Sequence, residues 1–258
     1  MKVSIITVAY NSEKYIESNL RSVSRQTKND IEHLIVDGGS EDATLKKTRN
    51  FDSDKELRVS SGKDKGPYDA MNKGLEMATG EIIGFLNSDD LLARRDAVEI
   101  MTNRIQNNSL QACYCDVAFV SRTDVDRVKR IWKEPPSSPF SQLALGWCPA
   151  HPSFYARRAV YDECGNFNTK YYRAADFDFF CKFFADSSVR YEYIPQCLVK
   201  MREGGNSNDS VKSVIKGNLE AFDVLQRNDI FPYFVFAKPI RKTFQYFRAT
   251  RKRWDDNI

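Results

Sequence analysis

Residues Val3 to Ala9 form a nearly unbroken apolar run, the signature of a strand buried on both faces. Residues 13 to 25 follow with Tyr15, Ile16, Leu20 and Val23 at helical spacing. A second apolar run, Ile31 to Val36, ends at Asp37-Gly38-Gly39-Ser40. There the glycines permit a sharp turn, and Ser40 is placed to cap a helix starting near Asp42. Leu57 to Ser60 reads as a third strand and Asp69 to Ala78 as a helix that stops at Gly80. A fourth strand, Glu81 to Leu86, runs into Asn87-Ser88-Asp89-Asp90. Strand and helix in alternation predict an α/β fold with a parallel sheet, whose ligands gather at the carboxyl ends of the strands. Tyr10, Asp37 and Asp89 all stand at such ends.

After residue 110 the pattern changes. Gln111 to Val120 and Arg127 to Trp132 read as antiparallel strands joined by a turn at Arg122 to Asp126, and a Pro-rich loop follows from Glu134 to Pro139. Strand-like Pro152 to Ala156, a helix from Ala174 to Ala185 and a strand from Arg190 to Ile194 complete the core. The reading is a nucleotide-binding half over 1–110, a second-substrate half of the same domain over 111–228, and a tail over 229–258.

Composition narrows the class. The chain has 258 residues, 41% hydrophobic and 29% charged, as in an ordinary globular protein. Its net charge of +4, from 39 basic and 35 acidic residues, is too balanced to predict a nucleic-acid partner. The excess sits in the tail: Lys238 to Arg253 holds seven basic residues and no acid, and Tyr233, Phe236, Ile240, Phe244 and Phe247 share the opposite helical side. That pattern fits a helix in a membrane interface, and equally one packed on the domain with a solvated basic face. No apolar stretch reaches the roughly 20 residues that span a bilayer. The six cysteines form no CxxC pair, and two histidines do not complete a zinc site. The expected location is the cytoplasm, with peripheral contact at one face of a membrane.

Adjacent carboxylates after a buried strand suit a hard divalent cation whose shell is completed by substrate phosphates. Four blocks stand in order along the chain: VSIITVAYN from Val3, Asp37-Gly38-Gly39-Ser40, DKGPYDAMNKG from Asp64, and Asn87-Ser88-Asp89-Asp90. Alone, each is a turn, a helix cap or a half-buried aromatic. Together they resemble family 2 glycosyltransferases of the GT-A fold, over roughly residues 1 to 205. That fold is a Rossmann-like, mostly parallel sheet flanked by helices, with a smaller antiparallel part in the acceptor half. Within the family the chain looks most like bacterial enzymes of O-antigen, capsule or exopolysaccharide synthesis, including the colanic acid type.

The resemblance implies a UDP-sugar donor, with Tyr10 against the base, Asp37 accepting from it, and Thr7, Asp64 and Asn72 around the donor. It places Asp89 at the ribose or a metal-bound water and Asp90 as the ligand of Mn²⁺ or Mg²⁺. Asn87 departs from the Asp often found there. In Arg173-Ala174-Ala175-Asp176-Phe177-Asp178 it makes Asp176 the base, with Ala175 replacing a frequent acidic neighbour and Asp178 competing. His151 matches a histidine that contacts acceptor or diphosphate, or is a structural imidazole. Trp147 stacks on a sugar or belongs to the core. Gly204-Gly205-Asn206-Ser207 resembles a lid. The implied reaction is inverting transfer to a saccharide acceptor, lipid-linked through polyprenyl diphosphate. Two other classes compete. A nucleotidyltransferase calls for a Gly-rich basic loop where this chain has Tyr10-Asn11-Ser12-Glu13, and a noncatalytic sugar-nucleotide binder calls for damaged acidic positions, whereas Asp89, Asp90 and Asp176 are present.

Overall fold

The structure, a computed structural model, describes residues 1–133, 139–204, 211–232 and Trp254, side chains of 211–214 excepted. The basic tail over 238–253, most of the 134–139 loop, and the proposed lid beyond Gly204 lie outside the described residues.

The first apolar run is β1 (Val3–Ala9), which pairs in parallel with β2 (Ile31–Asp37) on one side and β4 (Ile82–Phe85) on the other. β3 (Glu56–Ser61) extends this parallel block beyond β2. On the far side β4 pairs antiparallel with β8 (Phe154–Arg157), and β8 pairs antiparallel with β6 (Ala112–Val120). β6 then lies parallel to β9 (Tyr191–Arg202) and antiparallel to β7 (Val128–Trp132), while β5 (Leu91–Leu92) closes the edge beside β9. The order is β3-β2-β1-β4-β8-β6-β9-β5. One sheet therefore crosses the boundary near residue 110.

Alternation along β1 divides the core. Ile6 joins Ala70 and Met71 of α3 (Pro67–Met77) and the phenylalanines of α7 (Ala175–Ala185) on one face. Val3 and Ile5 meet Val98, Met101 and Ile105 of α4 (Ala97–Asn107) on the other. In α7, Phe177, Phe179, Phe180, Phe183 and Phe184 are all buried, so this helix is enclosed on most sides. Each such ring contributes roughly 1.5–3 kcal/mol by leaving water. The remaining helices are α1 (Ile16–Ser24), α2 (Thr44–Arg49), α5 (Pro139–Leu143), α6 (Arg158–Cys164) and α8 (Val211–Arg227).

Two local expectations are corrected. Ser40 does not cap α2: the helix starts four residues later, and Asp42 Oδ1 takes the Thr44 N–H at 2.9 Å. Ser40 Oγ instead accepts the Asn11 N–H at 2.9 Å and donates to Asp37. Gly80 lies beyond the end of α3 at Met77, and its lack of a side chain serves a close approach, since a Cβ there would stand 2.5 Å from Ser4 N.

Candidate active site

β1 and β4 are neighbours at the point where strand order reverses, and their chains leave the sheet as Tyr10–Ser12 and Asn87–Asp90. The two exits are stitched together. Ser12 Oγ and Ser88 Oγ are 2.7 Å apart, and the Asn19 amide of α1 donates to the carbonyls of Asn87 at 2.9 Å and Asp90 at 3.2 Å. Between them opens a cleft of about 640 Å³, with Tyr10, Asp64, Asp89, Arg122 and Tyr172 on its walls. Tyr10 is 60% exposed there.

The adjacent acids face different ways. Asp89 is half-buried on the cleft wall. Asp90 is 1% exposed and is not on the wall: Oδ2 accepts from the Asn87 amide at 2.7 Å and Oδ1 from the Arg202 N–H at 3.3 Å. Both Asp90 oxygens thus accept hydrogen bonds that hold the turn, and Asp89 is the carboxylate of the pair that faces the cleft. Burial, and then the charge of Asp89, push the Asp90 carboxyl well above its usual range. Burial also raises Asp89, against the pull of Arg122 and Arg202.

The other donor-side positions divide similarly. Asp64 lines the cleft, with Oδ1 accepting the Gly66 N–H at 2.9 Å. Its Oδ2 would sit 2.5 Å from a Cβ on Gly38, so the bare glycine lets this carboxylate reach in. Asp37 is 1% exposed behind the wall, accepting from Gly39 N at 3.2 Å, Ser40 N at 3.1 Å, Ser61 Oγ at 2.7 Å and the Ser40 hydroxyl. Thr7 is fully buried with its hydroxyl 2.9 Å from His33 Nε2, beneath the cleft rather than on it. Asn72 exchanges two 2.9 Å hydrogen bonds with the Phe167 backbone and so ties α3 to the second half.

At the start of α7, Asp176 is half-buried. Its Oδ1 accepts from Tyr68 Oη at 2.8 Å and from the Phe177 N–H at 2.9 Å. Tyr68 belongs to the α3 turn whose Pro67 and Ala70 line the cleft, and Arg173 lines it three residues before Asp176. Asp178 is 4% exposed and taken up by Lys182 at 2.8 Å and Asn228 at 3.2 Å. His151 is 7% exposed, stacked on Phe85 with centroids 4.7 Å apart, and its Nε2 has no partner. Burial lowers it to about 4, against the pull of Asp176, so the imidazole is neutral at pH 7. Trp147 is 4% exposed in the core beside Tyr114, not presented as a platform.

Comparison with known proteins decides the family. Residues 4–165 match the model of glycosyl transferase family 2. The chain belongs to that family. A PGL/p-HBAD biosynthesis glycosyltransferase of Mycobacterium bovis is 30% identical over 219 residues, covering 81% of this chain and 80% of the relative. An uncharacterized glycosyltransferase of Haemophilus influenzae is 28% identical over 81% of this chain and 68% of its own length. Among solved structures, Staphylococcus aureus TarS 1-349 in complex with UDP-GlcNAc superposes with a TM-score of 0.67 at 20% identity, over 96% of this chain and 79% of that one. A mannosyltransferase of Pyrobaculum calidifontis, in complex with GDP-Man and Mn²⁺, gives 0.63 at 19% identity, over 94% and 73%. The fold is GT-A, and the chain is a family 2 glycosyltransferase rather than a nucleotidyltransferase or a noncatalytic binder.

Arginines missed in the sequence complete the site of this family 2 chain. Arg122 and Arg202 hold their guanidinium carbons 5.1 and 5.0 Å from the Tyr15 ring centroid. Arg122 Nε donates to Tyr15 Oη at 2.7 Å, and Arg202 donates to the Asp89 carbonyl and, at 3.1 Å, to Ser18 Oγ. The sequence offered only a generic turn around Arg122. Among the described residues no three His, Cys, Asp or Glu side chains form a ready metal cage. The cleft lining carries the acids Glu41, Asp64 and Asp89, of which Asp89 has Asn87 beside it. That set fits a divalent cation arriving with phosphates, which commonly takes one or two carboxylates from protein.

Proposed function

We propose that the chain transfers a hexose or N-acetylhexosamine from a UDP-sugar, with inversion, to a hydroxyl of a saccharide carried on polyprenyl diphosphate, in the synthesis of a bacterial surface polysaccharide. The observation that carries the reading is the cleft at the β1–β4 reversal, whose lining brings together the exposed Tyr10, the acids Glu41, Asp64 and Asp89, and the arginines Arg122 and Arg173. Tyr10 stacks on the base, a contact typically worth about 1–3 kcal/mol. Asp64, rather than Asp37, accepts the uracil N–H, since its carboxylate is the one on the wall. Asp89, with Asn87 beside it, would hold Mn²⁺ or Mg²⁺, which supplies neutralisation of the departing diphosphate. Arg122 adds fixed positive charge on the same wall.

Asp176 removes the proton of the acceptor hydroxyl, and Tyr68 fixes its orientation through Oδ1. The choice of Asp176 over Asp178 is supported by the burial of Asp178 and its ion pair with Lys182. Neutral His151 packs near Asp176 without competing for the proton. The lipid-linked acceptor is supported by the tail sequence and by the relative's name in PGL/p-HBAD biosynthesis. UDP as carrier is supported by the TarS complex, and the metal by the Mn²⁺ of the mannosyltransferase complex.

The deciding experiment is a donor panel of UDP-glucose, UDP-galactose, their N-acetylamino forms and GDP-mannose, with Mn²⁺ or EDTA. Nucleotide release is followed with and without a synthetic polyprenyl-diphosphate saccharide. Acceptor-dependent UDP release that EDTA abolishes is expected. Release of GDP alone, or transfer unaffected by EDTA, overturns the corresponding part.

A further inference from the structure

On the other side of α1 from the cleft, a groove of about 500 Å³ runs between α1 and the β5 segment. Its lining includes Lys14, Arg21, Arg25, Arg94, Arg95 and Lys200, and its one acid is Glu17. Even that acid is engaged, 3.3 Å from Lys47. Arg94 is paired with Asp96 at 2.8 Å and Lys200 with Asp126 at 3.1 Å. Lys14, Arg21, Arg25 and Arg95 are exposed and form no ion pair among the described residues.

A solvated helix face does not account for this arrangement. Arg21 and Arg25 stand at i and i+4, where like charges weaken a helix. The helix dipole favours cations near the last turn of α1 but gives no reason for Lys14 at its start or Arg95 across the groove.

We propose that this groove docks the folded body on the anionic headgroups of a membrane, through cations other than those of the basic stretch over 238–253. From Lys14 to Arg25 the cations extend about 16 Å along α1 and the turn before it, wider than one phosphate and suited to several headgroups. A separate observation marks the same face. Trp254 is fixed beside the groove: its N–H donates to the Asp126 carbonyl at 2.7 Å, its ring lies 4.3 Å from Lys200 Nζ, and it packs in one cluster with Val125. The cleft lies across the first turn of α1, where Tyr15 faces the cleft and Lys14 and Ser18 face the groove. Docking here holds the cleft mouth beside the headgroup layer. The inference does not depend on the transfer reading.

The test is co-sedimentation of the full chain with phosphatidylcholine vesicles containing phosphatidylglycerol, comparing wild type with a Lys14→Glu, Arg21→Glu, Arg25→Glu, Arg95→Glu variant that keeps the tail. Apparent vesicle affinity should fall by about a hundredfold or more, with UDP release to a soluble acceptor unchanged. If charge reversal impairs folding in a thermal melt, the four Gln replacements serve, with a fall of about tenfold or more expected. Undiminished binding by a folded variant overturns the proposal. So does equal wild-type binding to pure phosphatidylcholine, or full displacement from the anionic vesicles by millimolar inorganic phosphate at fixed ionic strength, which would make the groove a single-phosphate site.

Discussion

Two short stretches of this protein each carry a pair of acids, and in each pair the fold buries one and leaves the other partly exposed. In the turn after β4, Asp90 is buried against Asn87 and the Arg202 backbone while Asp89 stays on the wall. At the start of α7, Asp178 is held by Lys182 and Asn228 while the half-buried Asp176 accepts at Oδ1 from Tyr68 and from the Phe177 N–H. The means differ. A turn offers no i+4 neighbour, so Asp90 is satisfied by a distant strand and by a residue within its own turn. A helix supplies its own cation one turn on, so Asp178 is neutralised locally. An acid's neighbours in space, rather than its position in a motif, decide whether it is available for chemistry.

The largest expected effect tests the helix pair. Asp176→Asn should lower kcat by about 10²–10⁴ with donor affinity nearly intact, whereas Asp178→Asn should keep kcat within about tenfold and lower Tm. Steady-state kinetics beside isothermal titration with UDP would separate them, and equal loss of donor binding in both would break the division of roles.

The turn pair comes next. Asp89→Asn should reduce transfer by roughly 10²–10³ and raise the Mn²⁺ concentration needed, while Asp90→Asn, close in shape to a carboxyl that burial already disfavours as an anion, should cost no more than about tenfold. Metal titrations of activity would show which residue meets the cation.

A smaller effect concerns pH. Arg122 and Arg202 pull the Asp89 carboxyl down against burial, so Arg122→Ala should raise it further. A cation site that needs ionised Asp89 then loses activity at higher pH, and the acid limb of kcat/KM should move upward. A limb that stays in place or moves down removes Asp89 from that role.

Glu32 provides the reference case of an acid that is entirely structural. Burial alone would push it up, but Ser4 Oγ and Thr79 N, each at 2.5 Å, with Thr79 Oγ1 at 2.9 Å and Lys2, bring it down from 4.5 to about 2. Its folded value is depressed, so its stabilisation is present above pH 4.5 and is lost as pH falls toward 2. Glu32→Gln should flatten that part of the Tm-against-pH curve and leave the donor KM unchanged.

The sequence by itself determined the parallel core and the place of the cleft. Val3–Ala9, Ile31–Asp37 and Ile82–Phe85 are strands buried through most of their length, and such runs are visible because hydrophobic periodicity is local. The motif residues Tyr10, Asp64 and Asp89 were legible for the same reason: strand ends and turn glycines are read from adjacent positions. The second half was less legible, since β8 enters between β4 and β6 and nothing local in Phe154–Arg157 encodes either partner. Only the tertiary structure decided which carboxylates are accessible. Arg202 reaches Asp89 across 113 residues and Asn19 reaches Asp90 across 71, and such partners fix burial and hydrogen bonding. A carboxylate's chemistry follows from how many of its oxygens remain unsatisfied and how much water it has lost, and both are properties of the assembled fold.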